Sequence, residues 1–464
     1  MKVTVRGLAG VLTIALCSVC FYTTVFVWPC FLFVLLKYTL GEGAVARLYG
    51  DFHKIADAVV RLYLVLIAAA IELIIGTSVA YTLVDAAGQG HLRQHYTTAE
   101  GLPALGKLLT APSAPGKSKL IVMNHHTRVD WLYLFVFLAR CPGLAPCLRV
   151  VLKEELRRIP YMGWAMEFFR FLFLSRKWEV DEAYLRRMVR YFTHHGEAVA
   201  IFIFPEGTDL SPSNIAKSNA FAAQQQLPQF RHVLNPHTTG TVALKSLLGA
   251  AQVEEVIDLT VGYTYAGPGE RPDEPSLLSG RHARKAHLLA QVFRFDTAPA
   301  GCSTSVSVVP YEDGAFATWL HGRFAAKELL LSRFTQRSPV GFDDADVRAV
   351  FGEAVGVATF DDDVEDRRRP QQSRCQRFAE QVGGLHVFAV ACVTWLGPLV
   401  YLTWYFTWLK LVLFVAWTLV HLPLTRRRGS LQNFLLHEVQ DDETLVARAQ
   451  RLMAGEPQPA GKQA

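Results

Sequence analysis

Two residues five positions apart, His125 and Asp130, have the types that a general base and its orienting carboxylate require. The histidine follows an apolar, β-branched run at residues 120–122, which predicts a short buried strand. The aspartate precedes a strongly apolar stretch at residues 131–138, which predicts a helix. Side chains five apart do not share a face of a continuous helix. A turn at residues 124–128 would instead let Asp130 fold back onto the His125 ring, where the histidine can accept a hydroxyl proton near neutral pH.

These residue types also allow other interpretations. A hydrogen bond between His125 and Asp130 could be purely structural. His126 lies four positions before Asp130, and that spacing would pair those two side chains on one helix face.

Two basic residues, Arg176 and Lys177, follow a predicted strand at residues 171–174. Their positive charge suits a phosphate group. The alternative is a basic turn that is simply solvated at the protein surface.

A third polar stretch, Pro-Glu-Gly-Thr at residues 205–208, also follows a predicted strand. A tight turn there would offer backbone N–H groups and the Thr208 hydroxyl to an anion. Glu206 could instead be a turn residue in a partial ion pair. A fourth stretch, Pro-His-Thr-Thr-Gly at residues 236–240, could begin a helix, because threonine can cap a helix N-terminus.

Strand and helix patterns alternate between about residue 119 and about residue 360. The predicted strands are residues 119–123, 148–152, 171–174, 198–204, 256–263 and 292–295. The predicted helices are residues 131–139, 181–194, 216–225, 238–248 and 315–332. This alternation predicts an α/β domain with a mainly parallel sheet and flanking helices. Ligands bind at the carboxyl ends of the strands in such sheets, which is where the polar stretches fall.

The composition indicates a membrane protein with a soluble portion. The 464 residues are 51% hydrophobic, with a mean hydropathy of +0.20. The net charge of +6 fits an anionic substrate or lipid surface, but the basic clusters are too local to indicate nucleic-acid binding. The four cysteines outside the apolar runs lack paired metal-ligand spacing, so we expect no metal site and no disulfide framework.

Three apolar runs, at residues 8–36, 62–84 and 385–424, are long enough to form membrane helices. We interpret the first as a retained anchor, because it is too long for a signal peptide and lacks a clear cleavage site. Glu72 lies within the second run and could be a functional intramembrane acid, a partner in a helix–helix hydrogen bond, or part of an interfacial helix. Basic residues on both flanks leave the membrane orientation open.

These features divide the chain into six segments. They are N-terminal membrane helices at residues 1–90, a linker at 91–118, the α/β domain at 119–360, a charged and mobile connector at 361–384, C-terminal membrane helices at 385–424, and a basic cluster with a tail at 425–464. The expected fold class is therefore α/β, with N- and C-terminal transmembrane or membrane-embedded helices.

The polar stretches, in this order, resemble the glycerolipid acyltransferases of the lysophosphatidate acyltransferase type. The likeness is closest to the lysocardiolipin and lysophospholipid acyltransferase branch, and it spans roughly residues 119–265. The branch pattern Asn-His-x-Thr-Arg-x-Asp-Trp is met by residues 124–131, and its other patterns are met by residues 204–210, 217–221 and 236–240. His126 is a departure, because the branch more often has arginine there.

This resemblance implies roles for individual residues. His125 would be the base and Asp130 its partner. The acceptor glycerophosphate would be contacted by Arg176, Glu206, Gly207 and Thr208, and Pro236 would shape the fourth stretch near the acyl donor. The acyl chain would pass directly from acyl-CoA, a co-substrate, with no bound cofactor. The sequence contains no Gly-x-Ser-x-Gly motif, so the nucleophile of a serine hydrolase is missing.

The expected function is therefore acylation of a lysophospholipid by acyl-CoA at an endomembrane, either the endoplasmic reticulum or a mitochondria-associated membrane. The acceptor could be lysophosphatidate, lysocardiolipin, lysophosphatidylglycerol or lysophosphatidylinositol. One alternative is a 1-acylglycerol-3-phosphate acyltransferase that makes phosphatidic acid. A second, of another class, is a non-catalytic membrane protein that binds lipid through the same pocket. No protein partner can be predicted from the sequence.

Overall fold

Nine strands form one mixed sheet in the computed structural model, which describes residues 3–21, 42–159, 162–265, 271–296, 307–336, 341–404, 415 and 419. The strands are β1 (Ser78–Asp85), β2 (Ser118–Met123), β3 (Leu148–Lys153), β4 (Leu172–Leu174), β5 (Val199–Ile203), β6 (Val253–Thr264), β7 (Lys285–Asp296), β8 (Val308–Pro310) and β9 (Gly356–Asp361). Their order across the sheet is β4-β3-β5-β2-β6-β7-β1-β9, and β8 pairs with β7.

The first five strands in this order are mutually parallel, which gives them one common carboxyl edge. Strand β7 runs antiparallel to β6, and β1 runs parallel to β7. The six predicted strands correspond to β2 through β7, although β7 begins seven residues earlier than the predicted strand. The prediction of an α/β fold is confirmed.

Helices cover the sheet and continue beyond it. They are α1 (Val5–Phe21), α2 (Glu42–Ala69), α3 (Gln89–His95), α4 (Leu105–Leu108), α5 (Asp130–Leu138), α6 (Met162–Phe168), α7 (Trp178–His194), α8 (Pro212–Gln224), α9 (Thr238–Leu248), α10 (Glu274–Leu278), α11 (Asp313–Gln336), α12 (Asp344–Phe351), α13 (Asp362–Arg368), α14 (Arg374–Gln381) and α15 (Leu385–Trp404). The five predicted helices correspond to α5, α7, α8, α9 and α11. In α8 the local chemistry is explicit, since Pro212 occupies the first turn and the Ser211 hydroxyl caps the N–H of Asn214.

The second apolar run is not one helix, contrary to the expectation from the sequence. Helix α2 continues as a π-helical segment, Ala70–Ile75, and ends at Gly76, whose φ of 98° is readily adopted by glycine. The chain then enters β1, which is buried between β7 and β9. A strand buried on both faces is as continuously apolar as a buried helix. The hydrophobic pattern of this run therefore could not show where the helix ends and the strand begins.

Glu72 is paired with Arg140, which lies just beyond the end of α5. Both guanidinium NH groups donate to the carboxylate, at 2.8 Å each, and both side chains are almost fully buried. Of the interpretations open from the sequence, the contact between helical elements is the one that the structure contains. Because Arg140 also donates to Gln381 of α14, the pair joins α2, α5 and the C-terminal helices.

The charged connector is ordered, which corrects the expectation of a mobile segment. The Asp361 carboxylate accepts the N–H of Asp363 and so caps α13. Ser373 and Gln376 form a capping box at the start of α14. The runs of like charge in this connector therefore form helix caps and ion pairs rather than a disordered segment. The assignment of whole domains along the chain stays a prediction.

Two parts of the described chain have the length and composition of membrane-spanning helices. Among the described residues, the helical segment Phe52–Ile75 is long and apolar enough to cross a membrane. However, 61% of its most apolar 18-residue stretch is buried within the protein. Helices α14 and α15 form a second apolar unit, bent by 96°. Much of the first predicted run, and the predicted tail at residues 425–464, lie outside the described residues.

Candidate active site

The carboxyl edge of the five parallel strands gathers the residues that the sequence singled out. His125 follows β2, Glu206 and Gly207 follow β5, and Arg176 follows β4. Strand β6 adds Tyr263 near its own carboxyl end. The sheet thus places the predicted polar stretches at one edge, as expected from the α/β pattern.

His125 and Asp130 are hydrogen-bonded, with 3.0 Å between His125 Nδ1 and Asp130 Oδ2. The intervening turn is closed by Thr127, whose N–H and hydroxyl both donate to the Asp130 carboxylate at 3.0 Å. This turn folds the aspartate back onto the ring, which is the arrangement that the sequence predicted. The Asp130 side chain is fully buried, whereas His125 keeps 18% of its side chain exposed.

A third donor to Asp130 is Tyr263, whose hydroxyl lies 2.7 Å from Oδ1. Burial and the neighbouring carboxylate raise the pKa of Tyr263 well above its usual range, so the hydroxyl keeps its proton and donates. An ionised carboxylate only accepts hydrogen bonds, and Asp130 accepts from Thr127 and Tyr263. His125 Nδ1 therefore donates to it as well, which leaves Nε2 as the nitrogen available to a substrate hydroxyl.

The ring of His125 is also held from the side by Phe204, which follows β5. The two rings are stacked, with centroids 4.0 Å apart and planes inclined by 17°. The residue before the base, Asn124, forms two hydrogen bonds between its side-chain amide and the backbone of Val261 in β6. Ring, backbone and carboxylate contacts together fix the direction in which Nε2 points.

Glu206 lies beneath the edge and is bonded to the backbone on either side of it, while its contact with an acceptor stays a prediction. Its carboxylate oxygens accept the backbone N–H groups of His125, at 2.8 Å, and Leu234, at 3.0 Å. The side chain is 1% exposed, and burial raises the pKa of its carboxyl group. A buried carboxylate with both oxygens engaged is placed to position the loops that carry His125 and the fourth polar stretch.

The other three residues assigned to the acceptor form the outer part of the edge. Arg176 is exposed, has a φ of 65°, and donates a hydrogen bond to the carbonyl of Gly207. Thr208 is half-buried, and its hydroxyl accepts from the side chain of Asn214 at 3.0 Å. Arg176 and Gly207 therefore lie together at the surface, while Glu206 lies beneath them.

His126 does not take the place of His125. In the described part of the chain it has no hydrogen bond to Asp130, and its Nδ1 is buried without a partner. Its ring packs beside Tyr263 and Tyr265. Burial lowers the pKa of His126 to about 4, so this imidazole is neutral at physiological pH.

The residues that sequence reasoning missed are Tyr263 and Thr127. Both bind Asp130, and Tyr263 reaches it across 133 positions of the chain. Its position at the carboxyl end of a predicted strand was the one available signal. Among the residues that the structure describes, no group of three or more His, Cys, Asp or Glu side chains is arranged to hold a metal ion.

Replacing Tyr263 with phenylalanine should lower the kcat of a reaction catalysed at this site about 10- to 150-fold, because a hydrogen bond to a charged group contributes about 1.5–3 kcal/mol. KM for either substrate should change less than twofold, since the tyrosine bonds Asp130 and is itself buried. Steady-state kinetics would separate the two constants. Tyr265→Phe is the matched control, because its hydroxyl has no hydrogen-bond partner in the described residues. An unchanged kcat in Tyr263→Phe would contradict this role.

Comparison with known proteins shows that the chain is similar to acyltransferases. Residues 96–246 match the family model described as "Acyltransferase". The chain is 32% identical over 293 residues to lysocardiolipin acyltransferase 1 of Danio rerio, which covers 63% of this chain and 65% of that protein. It is 33% identical over 222 residues to probable 1-acyl-sn-glycerol-3-phosphate acyltransferase 5 of Arabidopsis thaliana, covering 46% of this chain and 53% of the relative.

A third relative is lysophosphatidylinositol acyltransferase 10 of Caenorhabditis elegans, at 32% identity over 228 residues, which covers 48% of this chain and 55% of the relative. The chain thus spans less than two thirds of the length of each of these relatives. The family resemblance that the motifs indicated is confirmed, and the matched segment contains the His125–Asp130 pair.

Proposed function

We propose, from the match of residues 96–246 to the acyltransferase family model, that this chain transfers a fatty acyl group to a glycerol hydroxyl of a lysophospholipid. The observation that carries the proposal is the His125–Asp130 pair at the carboxyl edge of the sheet, with Nε2 left for a substrate. A lipid-binding protein without catalysis has no need of a base held by a buried carboxylate. The acyl donor in this proposal is acyl-CoA.

The reaction follows from that geometry. His125 Nε2 accepts the hydroxyl proton as the oxygen attacks the thioester carbonyl carbon. The carbon–sulfur bond then breaks, and the CoA sulfur leaves with the proton that the imidazolium returns. Asp130 stabilises the imidazolium through Nδ1, and three further donors from Thr127 and Tyr263 hold its carboxylate in place. No covalent acyl-enzyme is required.

The acceptor class is part of the same proposal. The exposed Arg176 beside Gly207 would bind the phosphate that all lysophospholipids share, so the site accommodates several head groups. The names of the relatives include lysocardiolipin, lysophosphatidylinositol and 1-acylglycerol-3-phosphate acyltransferases. Lysocardiolipin, lysophosphatidylglycerol and lysophosphatidylinositol are the remodelling acceptors, and lysophosphatidate is the alternative that would yield phosphatidic acid.

A panel of these four lysophospholipids, incubated with purified full chain and radiolabelled acyl-CoA, tests the function. We expect labelled product with one more acyl chain than the acceptor, and one equivalent of free CoA thiol, for the preferred acceptor. Binding of lysolipid with no thiol release from any acceptor would favour the non-catalytic alternative. Fractionation of cells that produce the tagged chain would test the proposed residence in the endoplasmic reticulum membrane against mitochondria-associated membrane.

Arg176→Ala should raise KM for the acceptor about tenfold, because an arginine–phosphate contact is a charge-assisted hydrogen bond. KM for acyl-CoA should stay within twofold. Arg186→Ala is the matched control, since Arg186 is an exposed arginine that pairs with Glu182 on the surface of α7. An equal rise in KM for both substrates, or no rise in KM for the acceptor, would show that Arg176 does not bind the acceptor.

A further inference from the structure

We propose that a bilayer surface with anionic head groups contacts the carboxyl edge of the sheet through a second site, separate from the apolar helices. This rim patch consists of three apolar residues, Ile159, Met162 and Trp178, and of the exposed basic residues Lys153, Arg158, Arg176 and Lys177. The inference deepens the proposed function, because it says how a lipid substrate would be presented to His125.

The three apolar members of the rim patch are all exposed. Ile159 is 41% exposed, Met162 45% and Trp178 39%. Ile159 and Met162 lie between β3 and β4, and Trp178 begins α7 four positions after β4 ends. Water-exposed apolar side chains that cluster at one edge mark an interaction surface rather than scattered surface variation.

The sheet topology places this patch beside the base. Strands β3 and β4 lie two and three positions from β2 and run parallel to it, so their carboxyl ends share the edge that carries His125. With neighbouring strands about 4.8 Å apart, the patch begins about 10–14 Å from the end of β2.

The apolar helices α1 and α15 lie near the same edge of the sheet, on the side of His125 opposite the rim patch. Ser78, the first residue of β1, pairs with Lys285, which in turn pairs with Thr264 at the carboxyl end of β6. The π-helical segment that precedes β1 packs against α1, and α1 packs against α15. Strand β1 is three positions from β2, about 14 Å away. His125 therefore lies between the rim patch and the apolar helices.

The α1 and α15 helices expose apolar side chains of their own, namely Val5, Leu8, Leu12, Leu16, Leu385, Val390, Val393 and Val400. In this proposal one bilayer contacts these helices and the rim patch together. A lysolipid in the contacted leaflet would then approach the base by lateral diffusion.

The net charge of the rim patch indicates which lipid head groups it would contact. Its four exposed cations stand against two exposed carboxylates, Glu155 and Glu179, so the surface is net positive. Basic side chains near a membrane are attracted to anionic lipids, and tryptophan is favoured at the membrane interface. A leaflet containing phosphatidylglycerol, cardiolipin or phosphatidylinositol fits both features.

The first test measures contact without turnover. The full chain is reconstituted in phosphatidylcholine vesicles with 30% brominated phosphatidylglycerol, and the emission of Trp178 is obtained as the difference between wild type and Trp178→Phe. We expect this emission to be quenched at least twofold relative to unbrominated vesicles. Emission that is unquenched and red-shifted, as in water, would overturn the proposal. Because no acyl transfer is measured, the result stands apart from that of the proposed function.

The second test uses the double variant Ile159→Glu, Met162→Glu. Acylation of a long-chain lysolipid presented in anionic vesicles should fall about tenfold, while acylation of a short-chain, water-soluble lysolipid should not change. Leu329→Glu is the matched control, because Leu329 is 60% exposed on α11, outside the rim patch. Equal loss on both acceptors, or no loss on vesicles, would contradict the inference. The positions are exposed, so thermal unfolding should confirm that each variant is folded.

Discussion

His125→Ala should lower kcat for acyl transfer by a factor of about 10³, since a positioned general base contributes about 10²–10⁴. The hydroxyl of a lysolipid keeps its proton near neutral pH and attacks a thioester slowly without a base. KM values and the unfolding temperature should change little, because the imidazole is partly exposed and Asp130 retains Thr127 and Tyr263 as donors. Initial rates with radiolabelled acyl-CoA give the measurement.

The control for this prediction is His126→Gln. His126 has the same side chain, adjacent in sequence, but no hydrogen bond to Asp130 in the described structure. We expect it to retain activity within about tenfold of wild type. Full activity in His125→Ala, or a larger loss in His126→Gln, would show that the wrong histidine has been assigned as the base.

Glu72→Ala should destabilise the folded chain by about 3–5 kcal/mol, the cost of leaving a buried charge without its partner. Arg140 would keep its hydrogen bonds to Val136 and Gln381 but lose both charge-assisted bonds to the carboxylate. The effect would appear as a lower midpoint of thermal or denaturant unfolding in detergent, followed by tryptophan fluorescence.

The double variant Glu72→Leu, Arg140→Met separates the pair from the packing around it. Replacing both charges with apolar side chains of similar size removes the unpaired charge, so stability should return to within about 1–2 kcal/mol of wild type. A Glu72→Ala variant as stable as wild type would indicate that water or lipid reaches Arg140. That outcome would favour an intramembrane role for Glu72.

The contact between His125 and Asp130 could be predicted because its geometry is local. His125 and Asp130 are joined by a five-residue turn, and the turn is closed by Thr127 within the same stretch. The predicted strands placed His125, Gly207 and Arg176 at one edge for a related reason, since parallel strands share the direction of their carboxyl ends. Local pattern and general topology were sufficient for these residues.

The support of that pair could not be predicted, because it depends on contacts between distant parts of the chain. Glu206 binds the backbone of His125, 81 positions away, and of Leu234. The residue alone suggested a turn residue in a partial ion pair, and the resemblance implied a contact with the acceptor. Neither indicated that its carboxylate is a buried link between two loops. Strand β1 was missed for a different reason, since burial on both faces removes the alternation that identifies a strand.

The pairing of β1 also has a consequence for biosynthesis. Its neighbours in the sheet are β7 and β9, and β7 begins about 200 residues further along the chain. At about 5–20 residues per second, a ribosome needs about 10–40 s to supply that partner. During this interval an apolar helix and an unpaired apolar strand emerge together, and both must be sheltered by the membrane or by chaperones. Slower elongation before Lys285 should therefore increase aggregation of the nascent protein, and faster delivery of β7 should reduce it.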